Sequence, residues 1–421
     1  MNIVFPKQVG LILHILNEKG YSAFIVGGCV RDSLLGLEPH DWDITTDATP
    51  EQVIEIFKNY KGMKIIPTGI KFGTVTLLMF TGLHKKPFAY EITTFRTDSD
   101  VTDGRRPLEV TFGKDINEDL QRRDFTINAI AYSHHTLTDP YKGIDDLNNK
   151  IIRAVGNPIK RFGEDRLRVL RAVRFACKYD FTIEEDTLNA INSTCLDLLE
   201  VVSKERIHDE LLKIFSYPNN KVLNSVKPLL EVIFNTKINF DIQIEQYKTF
   251  IKFDNIQAVY ATIADTLYTL KIGNEEEWLR DFKFSNKEIK AILYYINIQS
   301  WLDKLTFKSV TDGTFDIERD IKLKECLRFN PYQYVENYLK FNDWNTKILE
   351  QLNKEPHSLN QLQVNGDDLL DIRIQDTQIG TILNSMVELV IREKDKNTKE
   401  YLLSYAKCLN TILSKGGENN A

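Results

Sequence analysis

The sequence predicts an α+β protein, with strands and helices mixed over residues 1 to about 150 and a helical remainder. Three observations carry this prediction. Short apolar runs alternate with helical patterns up to about residue 150, and beyond it the strand signals fade while amphipathic helical periodicity takes over. The 421 residues are also too many for one ordinary core, so two to four domains are expected. A hydrophobic content of 42% and a charged content of 27% are those of a soluble globular protein, and no apolar run approaches the length of a membrane span.

Residues 1–20 carry Val9, Ile12, Leu13, Ile15 and Leu16 at helical spacing, without a basic start or a small-residue cleavage site, and read as an amphipathic helix instead of a signal peptide. The stretch that organises the chain follows. Phe24-Ile25-Val26 reads as a buried strand, Gly27-Gly28 as a turn free of side chains, and Val30 to Leu35 as one or two helical turns closed by Gly36. Such a turn presents backbone N–H groups at a helix N-terminus, where phosphate is readily held, and Arg31 can add a charge-assisted contact. Asp41 and Asp43 stand two apart in a run that reads as strand, so both carboxylates point to one face. Two like charges side by side call for a cation between them, and Mg²⁺ takes one or two carboxylates together with phosphate oxygens and water. Two solvated aspartates in a polar turn are the alternative.

Thr49-Pro50-Glu51 starts a helix running through Tyr60, with Val53, Ile54 and Phe57 on one face. Lys64 to Pro67, Thr74 to Phe80 and Phe88 to Phe95 are strand-like, and Glu91 lies on the last of them. Thr97 to Pro107 is polar and turn-rich and reads as a mobile loop, with Asp103, Gly104, Arg105 and Arg106 at its end. Arg122 and Arg123 beside Asp124 read, on the residues alone, as a surface ion-pair cluster.

Past residue 150, Leu167, Leu170, Val173 and Cys177 form an apolar helical stripe. Asp165, Arg168, Arg171 and Arg174 step by three, so each is the surface neighbour of the next. Three arginines served by one acid pair are under-neutralised, which points to an anionic ligand; a solvated face with ion pairs is the alternative. From Arg153 to Lys178, eight Lys or Arg residues against two acids leave +6, on a chain whose net charge is −6. The five cysteines are scattered and never spaced Cys-x-x-Cys, as in a protein of the reducing cytoplasm without a structural zinc site. The His208-Asp209 pair suggests a metal phosphohydrolase, but no other histidine supplies ligands at suitable spacing.

Gly27-Gly28-Cys29-Val30-Arg31-Asp32-Ser33-Leu34-Leu35-Gly36 followed by Asp41-Trp42-Asp43 resembles the nucleotidyltransferase superfamily to which DNA polymerase β belongs. Within it, the pattern resembles the class II, bacterial-type, CCA-adding tRNA nucleotidyltransferases. The stretches Arg122-Arg123-Asp124-Phe125-Thr126-Ile127-Asn128-Ala129, Asp139 to Leu147, Glu164-Asp165-Arg166-Leu167-Arg168 and Glu205 to Lys213 resemble further motifs of that family in the same order. Glu276 to Asn286 resembles its body, and Leu362 to Leu369, Ile379-Gly380 and Asn397 to Lys399 its tail. The family usually has glycines where this chain reads Asp371-Ile372-Arg373-Ile374-Gln375-Asp376, which leaves the local tail geometry open.

The resemblance implies a polymerase-β-like head of mixed sheet and helices over 1–150, then an all-α neck over 151–215, a body over 216–330 and a tail over 331–421. It implies Asp41 and Asp43 as catalytic carboxylates holding two Mg²⁺ ions, and Glu91 as the candidate third carboxylate, an ordinary exposed strand glutamate being the alternative. Nucleotide-binding roles fall on Gly27, Gly28, Arg31, Asp32, Arg122, Arg123, Asp124 and Asn128, with Arg123 or Arg122 meeting triphosphate or ribose and Asp124 positioning the sugar. Cytosine and adenine each present an amino donor beside a ring-nitrogen acceptor, which a carboxylate next to a guanidinium can pair with. In the family this protein template corresponds here to Asp165 and Arg168, oriented by Glu164, with Arg171 and Arg174 facing triphosphate or template. Glu205 to Lys213 would brace the template helix. The implied activity is addition of C, C and A to the tRNA 3′ end from CTP and ATP, the tRNA being held by its acceptor arm and no protein partner being required. A CC-adding or A-adding specialist, a poly(A) polymerase and a catalytically silent RNA-binding protein are the rivals. The loop from Thr97 to Pro107 favours complete CCA addition, because its loss accompanies CC-only activity in the family.

Overall fold

A computed structural model describes residues 3–67, 69–80, 86–98, 110–243, 255–302, 317–342, 344 and 346–417. The chain forms two compact units, residues 1–243 and 244–421.

In the first unit, helix α1 (Lys7–Glu18) buries Val9, Ile12, Leu13, Ile15 and Leu16, the apolar face its spacing predicts. It leads into β1 (Ala23–Val26), followed by α2 (Gly28–Leu34), β2 (Asp43–Thr46) and α3 (Pro50–Phe57). Thr49 and Gln52 close a reciprocal capping box over Pro50 at the start of α3, which fixes that end; the helix stops at Phe57 instead of Tyr60. Strands β3 (Met63–Ile66), β4 (Thr74–Met79) and β5 (Phe88–Thr94) follow as expected. β6 (Arg96–Asp98) and β7 (Val110–Phe112) form a separate antiparallel ribbon with Thr97 opposite Thr111, so the turn-rich segment is extended and paired at its first two residues. Asp103, Gly104, Arg105 and Arg106 lie outside the described residues.

After α4 (Ile116–Gln121), strands β8 (Ala131–Ser133) and β9 (Thr136–Thr138) complete a seven-stranded mixed sheet in the order β3-β4-β5-β2-β1-β8-β9. β1 sits between antiparallel partners, Ile25 facing Ile44 and Tyr132, and with Ala23, Ile25 and Val26 buried and Phe24 half-buried both of its faces are covered, which is why its sequence is uniformly apolar. β4 alternates, with Val75, Leu77 and Met79 inside. β2 and β5 run parallel in a register that sets Asp43 beside Glu91. This pairing positions the site.

Helices then dominate: α5 (Gly143–Asn148), α6 (Pro158–Glu164), α7 (Leu167–Tyr179), α8 (Glu185–Thr194), α9 (Leu198–Val201), α10 (Lys204–Phe215), α11 (Asn220–Ser225) and α12 (Lys227–Phe234). The exception is a two-residue parallel pair, β10 (Ile151–Ile152) with β11 (Thr182–Ile183), too short to leave a periodic signal. Gly143 packs so closely that a Cβ there would stand 2.2 Å from the Thr126 carbonyl oxygen. Asp139 receives the Gly143 and Ile144 N–H groups at 2.7 and 2.9 Å, which holds that turn.

The second unit is helical among its described residues. Its C-terminal half packs Val364, Leu369, Ile374, Ile382, Met386, Val390, Leu402 and Ala406 into one core. At the end of the helix Gly366–Asp371, Arg373 takes the left-handed conformation (φ 64°) that a glycine usually supplies. The Ile374 and Arg373 N–H groups donate back to the Leu369 and Leu370 carbonyls at 3.1 and 2.8 Å. The turn is thus closed despite the missing glycine, with Ile374 and Leu369 joined in the core.

His357 is buried in this unit, its Nδ1 2.8 Å from the Glu355 carbonyl. Burial, aided by the Lys324 charge, lowers its pKa below the ordinary 6.5, the carbonyl opposing. The unfolded chain therefore takes up that proton first, and stability is lost as pH falls below about 6.5 towards the folded value. Melting temperatures of His357→Gln are expected to decline less steeply than wild type across this window; parallel curves would remove the assignment.

Candidate active site

A cavity of about 530 Å³ opens in the first unit, lined by Gly27, Gly28, Arg31, Asp41, Asp43, Arg123, Asp124, Asn128, Arg171, Arg174, Phe175, Lys178, Lys213 and Tyr217. Six cationic side chains face three carboxylates there, and the volume suits a nucleotide. The sheet supplies one wall and α7 another.

The aspartate pair stands at the start of β2. The strand begins at Asp43, so Asp41 lies just before it instead of two places along it, yet both side chains line the cavity. The Asp43 carboxyl has its pKa raised, first by desolvation and further by the charges of Glu91 and Asp41, with Arg123 opposing. Glu91, its register partner on β5, is exposed and does not belong to the lining. The donors are oxygens only, and the carboxylate crowding around Asp43 is relieved by a cation, so the residues present fit a hard divalent ion. Among the described residues no group of three or more His, Cys, Asp or Glu is arranged to hold a metal, His208 and Asp209 included.

Gly27, at φ 77°, immediately precedes α2, and its N–H donates to the Ile130 carbonyl at 3.1 Å. A Cβ here would meet Arg123 Nη1 at 2.8 Å, so only glycine brings the turn against that guanidinium. Arg31 is buried, donating from Nη1 to Asn128 Oδ1 at 2.5 Å and from Nε to Asp32 Oδ1 at 2.9 Å. Asp32 is outside the lining and acts on Arg31 from behind.

Arg122 and Arg123 are not a surface cluster. Both turn onto Asp119, a fully buried carboxylate on α4 that receives Arg122 Nη2 at 2.7 Å and Arg123 Nη2 at 3.1 Å. Burial alone would raise the Asp119 pKa, but the two guanidinium groups outweigh it and hold the acid ionised. Arg123 reaches the cavity; Arg122 does not. The anchoring role of Asp119 was legible only as its spacing of three and four from the arginines.

Asp124 is buried and fully engaged. Its Oδ2 receives Arg171 Nε and Nη2 at 2.8 and 2.6 Å, and its Oδ1 receives Asn128 Nδ2 and the Phe125 N–H, each at 2.9 Å. Arg174 Nη1 donates to Glu210 Oε1 on α10 at 2.9 Å, and Lys213 Nζ lies 3.4 Å from the same oxygen. Arg168 Nη1 donates to Glu164 Oε2 at 2.6 Å, and its Nη2 donates to the Arg122 carbonyl at 3.1 Å.

These contacts correct the expectation of unpaired arginines on α7 but leave the cavity cationic. Each arginine meets a carboxylate 4 to 47 residues away in sequence, yet Glu164 also takes Arg161 and Glu210 also takes Lys213. Asp165 departs from the helical series as well: it is extended (φ −149°, ψ 106°) between α6 and α7, where it receives Arg206 Nη2 at 3.0 Å and the Leu167 N–H at 3.1 Å. Glu164, Asp165 and Arg168 lie together but outside the cavity lining, whereas Arg171 and Arg174 line it. Phe175, Lys178, Lys213 and Tyr217 line it too, beyond the residues that the motifs mark as nucleotide-binding; the basic stripe holds the signal for Lys178, and nothing local marks Tyr217.

The family profile described as "Poly A polymerase head domain" matches residues 23–153, which contain the glycine turn and the aspartate pair. A second, "Probable RNA and SrmB- binding site of polymerase A", matches residues 180–222. The chain is 35% identical over 415 residues to the CCA-adding enzyme of Ligilactobacillus salivarius, covering 96% of each. It is 35% identical over 422 residues to that of Enterococcus faecalis, covering 95% of each. Among solved structures, the CCA-adding enzyme of Bacillus stearothermophilus in complex with CTP superposes with a TM-score of 0.65 at 28% identity, over 99% of this chain and 100% of that one. With its glycine turn, aspartate pair and arginine helix in one cavity, and with this likeness spanning nearly its whole length, the chain belongs to the CCA-adding enzymes, the tRNA nucleotidyltransferases.

Proposed function

We propose that this protein adds C, C and A in turn to the 3′ end of tRNA, from CTP and ATP, without a nucleic-acid template. The observation that supports the reading is the cavity shared by Asp41, Asp43 and six cationic side chains, an arrangement suited to a divalent cation beside a triphosphate. Nucleotidyltransferases of this family are metal-dependent in general, and the all-oxygen donor set supports Mg²⁺ held by Asp41 and Asp43. Asp41 and Asp43 would hold two such ions, whose chemistry would be a lowered pKa for the attacking 3′-hydroxyl and offset charge on the triphosphate and leaving pyrophosphate. Gly27 and Gly28 let phosphate approach the backbone, and Arg31, Arg123 and Arg171 supply fixed guanidinium donors to its oxygens. Asp124 holds Arg171 in register, and Glu91 sharpens the local field at Asp43. Asp165 and Arg168 select the base edge by exchanging their present protein partners for it, with Glu164 steering Arg168. Residues 1–150 serve as head, 151–215 as neck, 216–330 as body and 331–421 as tail, the tail holding the acceptor arm of tRNA by backbone and shape. The scattered cysteines, all free, suit work in the cytoplasm.

Incubation of tRNAs lacking all three, two or one of the terminal nucleotides with labelled CTP, ATP or UTP tests this. Incorporation of C, C and A at the successive stages, with UTP refused, is expected. Incorporation at one stage only would mark a specialist, and untemplated A-tracts on unrelated RNA a poly(A) polymerase. If Asp165→Ala/Arg168→Ala still refuses UTP, base selection by that pair is excluded.

A further inference from the structure

Arg31 is held from more sides than phosphate contact alone requires. Its guanidinium carbon lies 5.0 Å from the Phe175 ring centre and 4.9 Å from that of Tyr179. These two α7 side chains are one turn apart, and their rings stack at 6.1 Å with an 18° tilt. The Tyr179 hydroxyl donates at 2.8 Å to Asp32 Oδ1, the same oxygen that receives Arg31 Nε. Burial raises the pKa of that hydroxyl well above its ordinary value, so it stays a donor at neutral pH. Arg31 has five N–H donors; Nε and Nη1 each spend one in hydrogen bonds, and Nη2 sits 2.9 Å from Asp32 Oδ1. At least two N–H groups therefore remain for a ligand in the cavity that Arg31 lines.

We propose that Tyr179 is a positioning residue for the triphosphate: its ring lies against the Arg31 guanidinium and its hydroxyl pins Asp32, so that the two spare N–H groups of Arg31 are held towards a phosphate oxygen. The proposal rests on the reading of the cavity as a nucleoside triphosphate site and assigns a role to a side chain that belongs to none of the motifs. A flexible arginine would lose side-chain freedom on binding, whereas this one has lost it on folding, so the gain is in affinity for phosphate and not in the chemical step.

Two variants separate the elements. Tyr179→Phe removes only the hydroxyl, and Tyr179→Leu removes the hydroxyl and the ring. For Tyr179→Phe, KM for both CTP and ATP should rise about 3- to 10-fold, the range of one hydrogen bond acting through a neighbour, with kcat and melting temperature near wild type. The inhibition constant of inorganic tripolyphosphate, a probe without base or sugar, should rise by the same factor, and both should rise further in Tyr179→Leu. Unchanged tripolyphosphate inhibition in both variants, or affinity lost only in step with melting temperature, would overturn the positioning role. If the wild-type protein neither incorporates CTP nor is inhibited by tripolyphosphate, the triphosphate reading itself falls instead.

Discussion

Asp43→Asn is expected to lower single-turnover incorporation of CTP into tRNA on the order of 10³-fold or more, with tRNA affinity in filter binding nearly unchanged. A cation acting on an attacking hydroxyl and a triphosphate contributes several kcal/mol of transition-state stabilisation, and each ~1.4 kcal/mol is a factor of ten. Asparagine keeps the size of the side chain but removes the charge that would hold the cation. The backbone of β2 is set by its pairing with β1 and β5, so the substitution leaves the sheet intact. It also removes the charge that desolvation first, and then Glu91 and Asp41, disfavour, so the folded protein should be no less stable. Turnover retained within about tenfold of wild type would remove Asp43 from the metal site.

The second large effect is expected in stability. Asp124→Ala leaves Arg171 without its carboxylate and removes the acceptor used by Asn128 Nδ2 and the Phe125 N–H. Breaking a buried ion pair by removing one partner costs roughly 3–5 kcal/mol, and the partial exposure of Arg171 places this case near about 3. For a unit of this size that corresponds to a fall of roughly 6–12 °C in the first unfolding transition. Asp124→Asn, which can keep the bonds at Oδ1, should fall less. Burial by itself would raise the Asp124 pKa, but the Arg171 charge and the Asn128 hydrogen bond hold it far below the ordinary carboxylate range. Its stabilising contribution is therefore fully present above about pH 4 and is lost as pH falls through the folded value. An unshifted melting temperature in Asp124→Ala would show that the pair contributes nothing net.

Much of the architecture was readable because it is local. The apolar stripe of α1, the strand-like run of β4, the start of α3 at Thr49-Pro50-Glu51 and the Gly27-Gly28 turn each depend on residues within one or two turns of one another. The boundaries were less so: β2 begins at Asp43 and α7 begins at Leu167, because strand pairing and the extended turn at Asp165 decide where the backbone changes state. Arg373 shows a different limit. Its left-handed turn is not what its residue type prefers, and the core contact between Leu369 and Ile374 holds it there.

The sequence by itself determined that a glycine turn, a carboxylate pair and a run of arginines three apart exist, since each is written in adjacent residues. Only the tertiary structure decided which charge meets which. Asp119 takes Arg122 and Arg123, Asp124 takes Arg171, Glu210 takes Arg174, and strand register sets Glu91 beside Asp43. Except for the Asp119 pairs, these partners lie tens of residues apart, and no local period encodes them. Taking such charges out of water is unfavourable until the fold supplies each partner, so the electrostatics of the cavity is a property of the packed molecule.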